Sequence, residues 1–103
     1  MKVRFSAAAR AYVSAETKYL ATASRAGAER FRDIVRRAQV LVASFPASGI
    51  ADSAIPLTGA RRMIVSGYLF DYDLIGDVVW IQTVRSSVTV QTIAIEDDRD
   101  YEE

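Results

Sequence analysis

The stretch that decides the fold is Gly59–Val84, GARRMIVSGYLFDYDLIGDVVWIQTV. Tyr68, Phe70, Tyr72 and Leu74 alternate here with Leu69, Asp71 and Asp73. That is the period of two of a strand with one buried face. The spacing predicts strands over Arg61–Ser66, Tyr68–Leu74 and Val78–Val84, with Ile75-Gly76-Asp77 as a hairpin turn. The third strand is the most continuously apolar, so it is expected to lie centrally.

Upstream the period is that of a helix. Phe31, Ile34, Val35, Ala38, Leu41, Val42 and Phe45 keep 3-4 spacing up to Pro46, which ends the run. Asp33 and Arg37 are spaced for an i,i+4 ion pair. Ser24-Arg25-Ala26-Gly27 reads as a break of about four residues. Before it lies an Ala-rich helix, from Ala7 to about Ala23, capped by Ser6 and packing through Tyr12, Val13, Tyr19 and Leu20. Lys2–Phe5 alternates as a short strand. Residues 46–60 hold both prolines and read as a loop, and Val88–Ile95 is again strand-like. The order predicts an α+β fold: an N-terminal strand, an antiparallel helix hairpin, then an antiparallel three- to four-stranded meander packed on the helices. Residues 1–95 are expected to form one domain, and 96–103 an acidic, mobile tail.

The charge balance is zero over 103 residues, but it divides unevenly. Residues 1–46 carry nine Lys/Arg and three acids, a net +6, and residues 47–95 are near neutral at −1. EDDRDYEE at 96–103 is −5. A basic body with an acidic end is expected to meet acidic partners. The chain has no Cys and no His. Disulfides, thiolate sites, Cys nucleophiles and Ser-His triads are therefore excluded, and no metal or cofactor is expected. No run nears the roughly 18 apolar residues of a membrane span. Arg10 interrupts MKVRFSAAAR before any apolar leader core forms. A cytoplasmic chain without membrane contact is the expectation.

Four phrases in order carry a resemblance. Val3–Arg10 (VRFSAAAR) resembles a strand running into an Ala-rich helix in the ParE/RelE superfamily of bacterial toxins, the plasmid-stabilisation toxins of type II toxin–antitoxin pairs. Leu41–Pro46 (LVASFP) is similar to the family's L-x-x-F-P ending. Gly59–Tyr72 resembles its G-x-R hairpin with V-x-G-Y, and Gly76–Ile81 (GDVVWI) its G-D-x-V-x-I strand. Together they span residues 2–84. Beyond Val84 the chain departs from the pattern: the family's His or Tyr and closing R-D are replaced by RSSVTVQ, with Arg99-Asp100 appearing only in the acidic end.

The resemblance implies a RelE/ParE-like fold and a toxin neutralised by a cognate antitoxin and inhibiting DNA gyrase when free. The alternatives are a RelE-like endoribonuclease cutting mRNA on the ribosome, and a degenerate member that only binds a partner. Self-association through an exposed antitoxin groove is a further expectation. If there is chemistry, Arg61, Arg85 and Tyr72 are the candidates for it. Arg61 matches the family's strand arginine and could form an anion site with Arg85, or could instead pair with Asp71 or Asp73. Tyr72, with Tyr68, either serves a base or proton or buries against the helices, which its shared face with Phe70 favours. Arg62 points away from Arg61 by strand alternation. With Arg30, Arg36 and Arg37 of the second helix it is a candidate partner contact. Lys2 and Lys18 are expected far from the meander.

Overall fold

The computed structural model describes residues 1–50 and 60–87. The strand-like Val88–Ile95 and the tail 96–103 lie outside them, as does most of the 46–60 loop. Six elements follow in order: β1 (Lys2–Phe5), α1 (Ala7–Ala23), α2 (Arg25–Ser44), β2 (Arg61–Val65), β3 (Tyr68–Ile75) and β4 (Val78–Ser86). The strands form one sheet in the order β1-β4-β3-β2. Hairpins make β2, β3 and β4 antiparallel, while β1 lies parallel to β4 with Lys2 opposite Val78 and Phe5 opposite Ile81. The sheet is therefore mixed, and β4 is central as its apolar run predicts. Lys2 is accordingly not far from the meander but beside its last strand.

Ser6 joins strand to helix. Its N–H bonds the Ile81 carbonyl (2.9 Å), and its hydroxyl donates to Gln82 O (2.7 Å) while accepting from Ala9 N (3.0 Å). The start of α1 is thereby pinned to β4. The expected four-residue break shrinks to Ser24 alone. Ser24 donates its N–H to Leu20 O (2.9 Å), and its hydroxyl accepts from Gly27 N (3.1 Å). One residue thus closes one helix and caps the next, so Arg25–Gly27 are helical. Helix α2 buries Phe31, Ile34, Val35, Ala38 and Val42 against the sheet, where Phe70, Tyr72, Val79, Ile81 and Val84 meet them.

Two aromatic expectations fail. Phe45 lies past the last helical turn and is 61% exposed. Tyr19 is 71% exposed; at 100° per residue it points roughly 80° away from Ala9, the centre of the buried stripe of α1. Asp33 pairs with Arg36 at 3.0 Å rather than with Arg37.

Both hairpins turn through two residues. Ser66 (φ 49°) and Gly67 (φ 86°) link β2 to β3, and Gly76 (φ 64°) with Asp77 links β3 to β4. The β3–β4 ladder slips once: Asp71 faces Thr83 and Tyr72 faces Ile81, leaving Gln82 over. This bulge reverses the alternation of β4. Val79 and Ile81 point to the helices before it and Val84 after it, so Thr83 and Arg85 emerge on the opposite, helix-free face.

Candidate functional site

The helix-free face holds a carboxylate clamp. Asp71 is 1% exposed yet lies on the side without helices. Its neighbours shut it in. Across β2, Arg62 donates Nε to Oδ1 at 2.6 Å and Nη2 to Oδ2 at 3.1 Å. Across β4, the Thr83 hydroxyl donates to Oδ2 at 2.9 Å, and Arg85 Nη2 reaches the same oxygen at 3.3 Å. The Arg62 side chain is 17% exposed and that of Arg85 46%. Burial pushes the Asp71 carboxyl up. The hydrogen bonds from Arg62 and Thr83, with the charges of Arg62 and Arg85, outweigh it and hold the group below its ordinary value. It is a carboxylate at neutral pH, and it fixes two guanidinium groups on one face. Lys2 and Arg4 of β1 lie on the same face by alternation, with Arg4 opposite Trp80.

The anion site expected from Arg61 and Arg85 is not assembled. Arg61 faces Tyr72 across the ladder, on the helix side, while Arg85 faces Leu69. Strand alternation puts the two on opposite faces, and Arg62 stands where Arg61 was expected. Arg61 does not pair with Asp71 or Asp73 either. Its Nη1 donates to the carbonyls of Gly49 (2.9 Å) and Ala47 (3.2 Å).

Tyr72 completes that anchor. Its hydroxyl donates to Pro46 O (2.8 Å) and accepts from Gly49 N (3.0 Å). A Cβ at Gly49 would collide with the Tyr72 ring and hydroxyl. Ile50 then pairs with Arg62 through both backbone bonds, each 2.8 Å. The buried phenol therefore holds the segment after α2 against the edge of β2. Tyr68 packs its ring on Phe31 at 4.8 Å and donates to Glu16 Oε2 at 2.7 Å. Burial first, and then the Glu16 carboxylate, push its phenol far up.

The basic residues of α2 lie apart from this clamp. Arg36 is taken by Asp33, and Arg30 and Arg37 flank a groove with Leu20, Phe31, Ile34 and Tyr68. Sequence reasoning missed Thr83, and it missed that Asp71 organises the face. The alternation of β3 places Asp71 correctly, but the bulge that brings Thr83 and Arg85 to it leaves no mark in residue type.

No family model matches the sequence. None of the curated proteins matches it either. Solved structures do match: one described as "Chromosomal ParDE TA system from P. aeruginosa" superposes with a TM-score of 0.69. The identity is 14%, over 84% of this chain and 95% of that one. Among the described residues, no helix is long and apolar enough to cross a membrane. The strand, helix pair and three-stranded meander of this chain are thus a ParE-like fold, shared with a chain of a ParDE toxin–antitoxin system.

Proposed function

We propose that the chain is the toxin of a type II toxin–antitoxin pair, held by a cognate antitoxin and acting on DNA gyrase when free. The observation that carries this reading is the ParE-like fold, which spans nearly the whole of the ParDE neighbour. The side chains support a binding role over chemistry. Tyr72 and Arg61 spend their polar atoms on the segment 46–50, and Arg62 and Arg85 both bind Asp71. Apolar side chains that a partner could cover are also exposed: Val40, Phe45, Ile50, Ile64, Leu74 and Ile75 are each more than half accessible.

The test pairs two assays on purified protein. Gyrase supercoiling inhibited in proportion to added protein, and rescued by the protein encoded next to it, is the expected result. Codon-positioned cuts in mRNA during in-vitro translation would overturn it. That second outcome is the RelE-like reading, and one observation favours it: Arg62, Arg85, Lys2 and Arg4 share the helix-free face, where phosphate charge could be neutralised. No effect in either assay, with antitoxin binding kept, would leave a partner-binding module.

A further inference from the structure

Helix α2 is basic on its exposed side, and its charge is only partly answered there. Arg25 meets Glu29 at 4.0 Å and Arg36 meets Asp33 at 3.0 Å. Among the described residues, no carboxylate lies within ion-pair distance of Arg30 or Arg37. These two flank a groove of about 470 Å³ floored by Leu20, Phe31, Ile34 and Tyr68. Ser66, in the β2–β3 turn, lines it too, as does Asp33, whose carboxylate is engaged by Arg36.

The chain leaves the sheet beside this groove. Ser87, the last described residue, donates its N–H (2.9 Å) and its hydroxyl (2.7 Å) to the carbonyl of Gly67, next to Ser66. Residues 88–103 follow, and from Glu96 onward they carry six acids against Arg99. The nine residues from Ser87 to Glu96 can span about 30 Å when extended, several times the width of a groove of this volume.

We propose that the acidic segment 96–103 of this same chain occupies the groove, setting its carboxylates against Arg30 and Arg37 and shielding the basic face of α2. Exposed ion pairs are individually weak. A tether of this length supplies an effective concentration in the millimolar range, which lets weak pairs add up to occupancy. Such a shield exchanges rapidly, dissolves in salt and yields to a stronger polyanion or a more acidic partner.

The chain has no Cys, so Tyr101→Cys gives a single site for a spin label on the full-length protein. At about 20 mM salt the label is expected to broaden the amide signals of Gly27, Ile34 and Ser66 by more than half. In about 1 M NaCl, where the Debye length is about 3 Å, the broadening is expected to vanish. It should also vanish in Arg30→Glu/Arg37→Glu. Broadening that persists in that variant, that centres on Arg10 and Lys18 instead, or that is absent at low salt overturns the proposal.

A second measurement removes net charge as an explanation. Neutralising the six acids of 96–103 to amides should raise affinity for a single-stranded DNA 20-mer about tenfold in the parent background, and less than about twofold when Arg30 and Arg37 are Glu. An equal gain in both backgrounds overturns the shield. Neither measurement involves gyrase or an antitoxin, so either can fail without touching the proposed function.

Discussion

Replacing Asp71 by Asn keeps the shape of the side chain and removes its charge. The carboxylate accepts two bonds from Arg62, one from Thr83 and one from Arg85. An amide can offer one oxygen, so whichever way it turns its NH2 meets a donor. Breaking a buried pair by removing one partner costs about 3–5 kcal/mol, because the remaining charge is stranded. Arg62, at 17% side-chain exposure, loses a two-bond ionic partner there and is poorly placed to recover it from water. Arg85, at 46%, can return to water, so its share is discounted. The expected loss for D71N is therefore about 2–4 kcal/mol. For a domain near 100 residues that is a fall in Tm of roughly 10–20 °C. Arg85→Gln, by the same reasoning, should cost under about 1 kcal/mol. Urea unfolding followed by Trp80 fluorescence and circular dichroism measures both. The pH dependence adds a check. A folded-state pKa held below the ordinary 3.8 contributes stability above that value, and loses it as pH falls through the lowered pKa. The parent should therefore weaken below about pH 4 and D71N should lack that part of the slope. A D71N loss under about 0.5 kcal/mol with an unchanged m-value would refute the view that the clamp holds the face together.

Three further outcomes follow from the same contacts. Tyr72→Phe leaves Gly49 N–H and Pro46 C=O without their partner and should cost about 1–3 kcal/mol, with faster hydrogen exchange at Gly49; Gly49→Ala should be worse, since its Cβ meets the Tyr72 ring. Tyr68 has a raised phenol pKa, so its contribution is present below the ordinary value of 10.0 and is lost as pH rises toward the folded value; Tyr12 is raised as well, so absorbance titration should show a late-ionising component whose last part is missing in Tyr68→Phe. Ser24→Ala removes the cap of α2 and should lower stability by about 1 kcal/mol, measured by thermal unfolding.

Periodicity carried most of the architecture. The 3-4 run of α2 and the two-residue alternation of β3 each depend on one buried face, so both show in the sequence. What periodicity cannot show is partner choice. Nothing in Lys2–Phe5 says that it runs parallel to β4, because a four-residue strand has no pattern that fixes its neighbour. Ser24 looked like the start of a loop, since a capping serine and a breaking serine are the same residue. Arg61 and Arg62 are adjacent and chemically equal; which one faces Asp71 follows from register, which tertiary packing sets. The clamp itself depends on the extra residue at Gln82, a geometric event with no composition of its own.

The pairing of the first strand with the last has a consequence for synthesis. Lys2 is opposite Val78, so the sheet cannot be completed until 76 further residues have been made. At roughly 5–20 residues per second that wait is about 4–15 s. Once α2 ends at Ser44, the chain is still 34 residues short of Val78, and for that part of the wait Phe31, Ile34, Val35 and Val42 lack the central strand that covers them. A chain interrupted before β4 therefore leaves no smaller folded unit: it lacks the strand that both β1 and β3 pair with, and offers an apolar helix face to chaperones, proteases or other nascent copies.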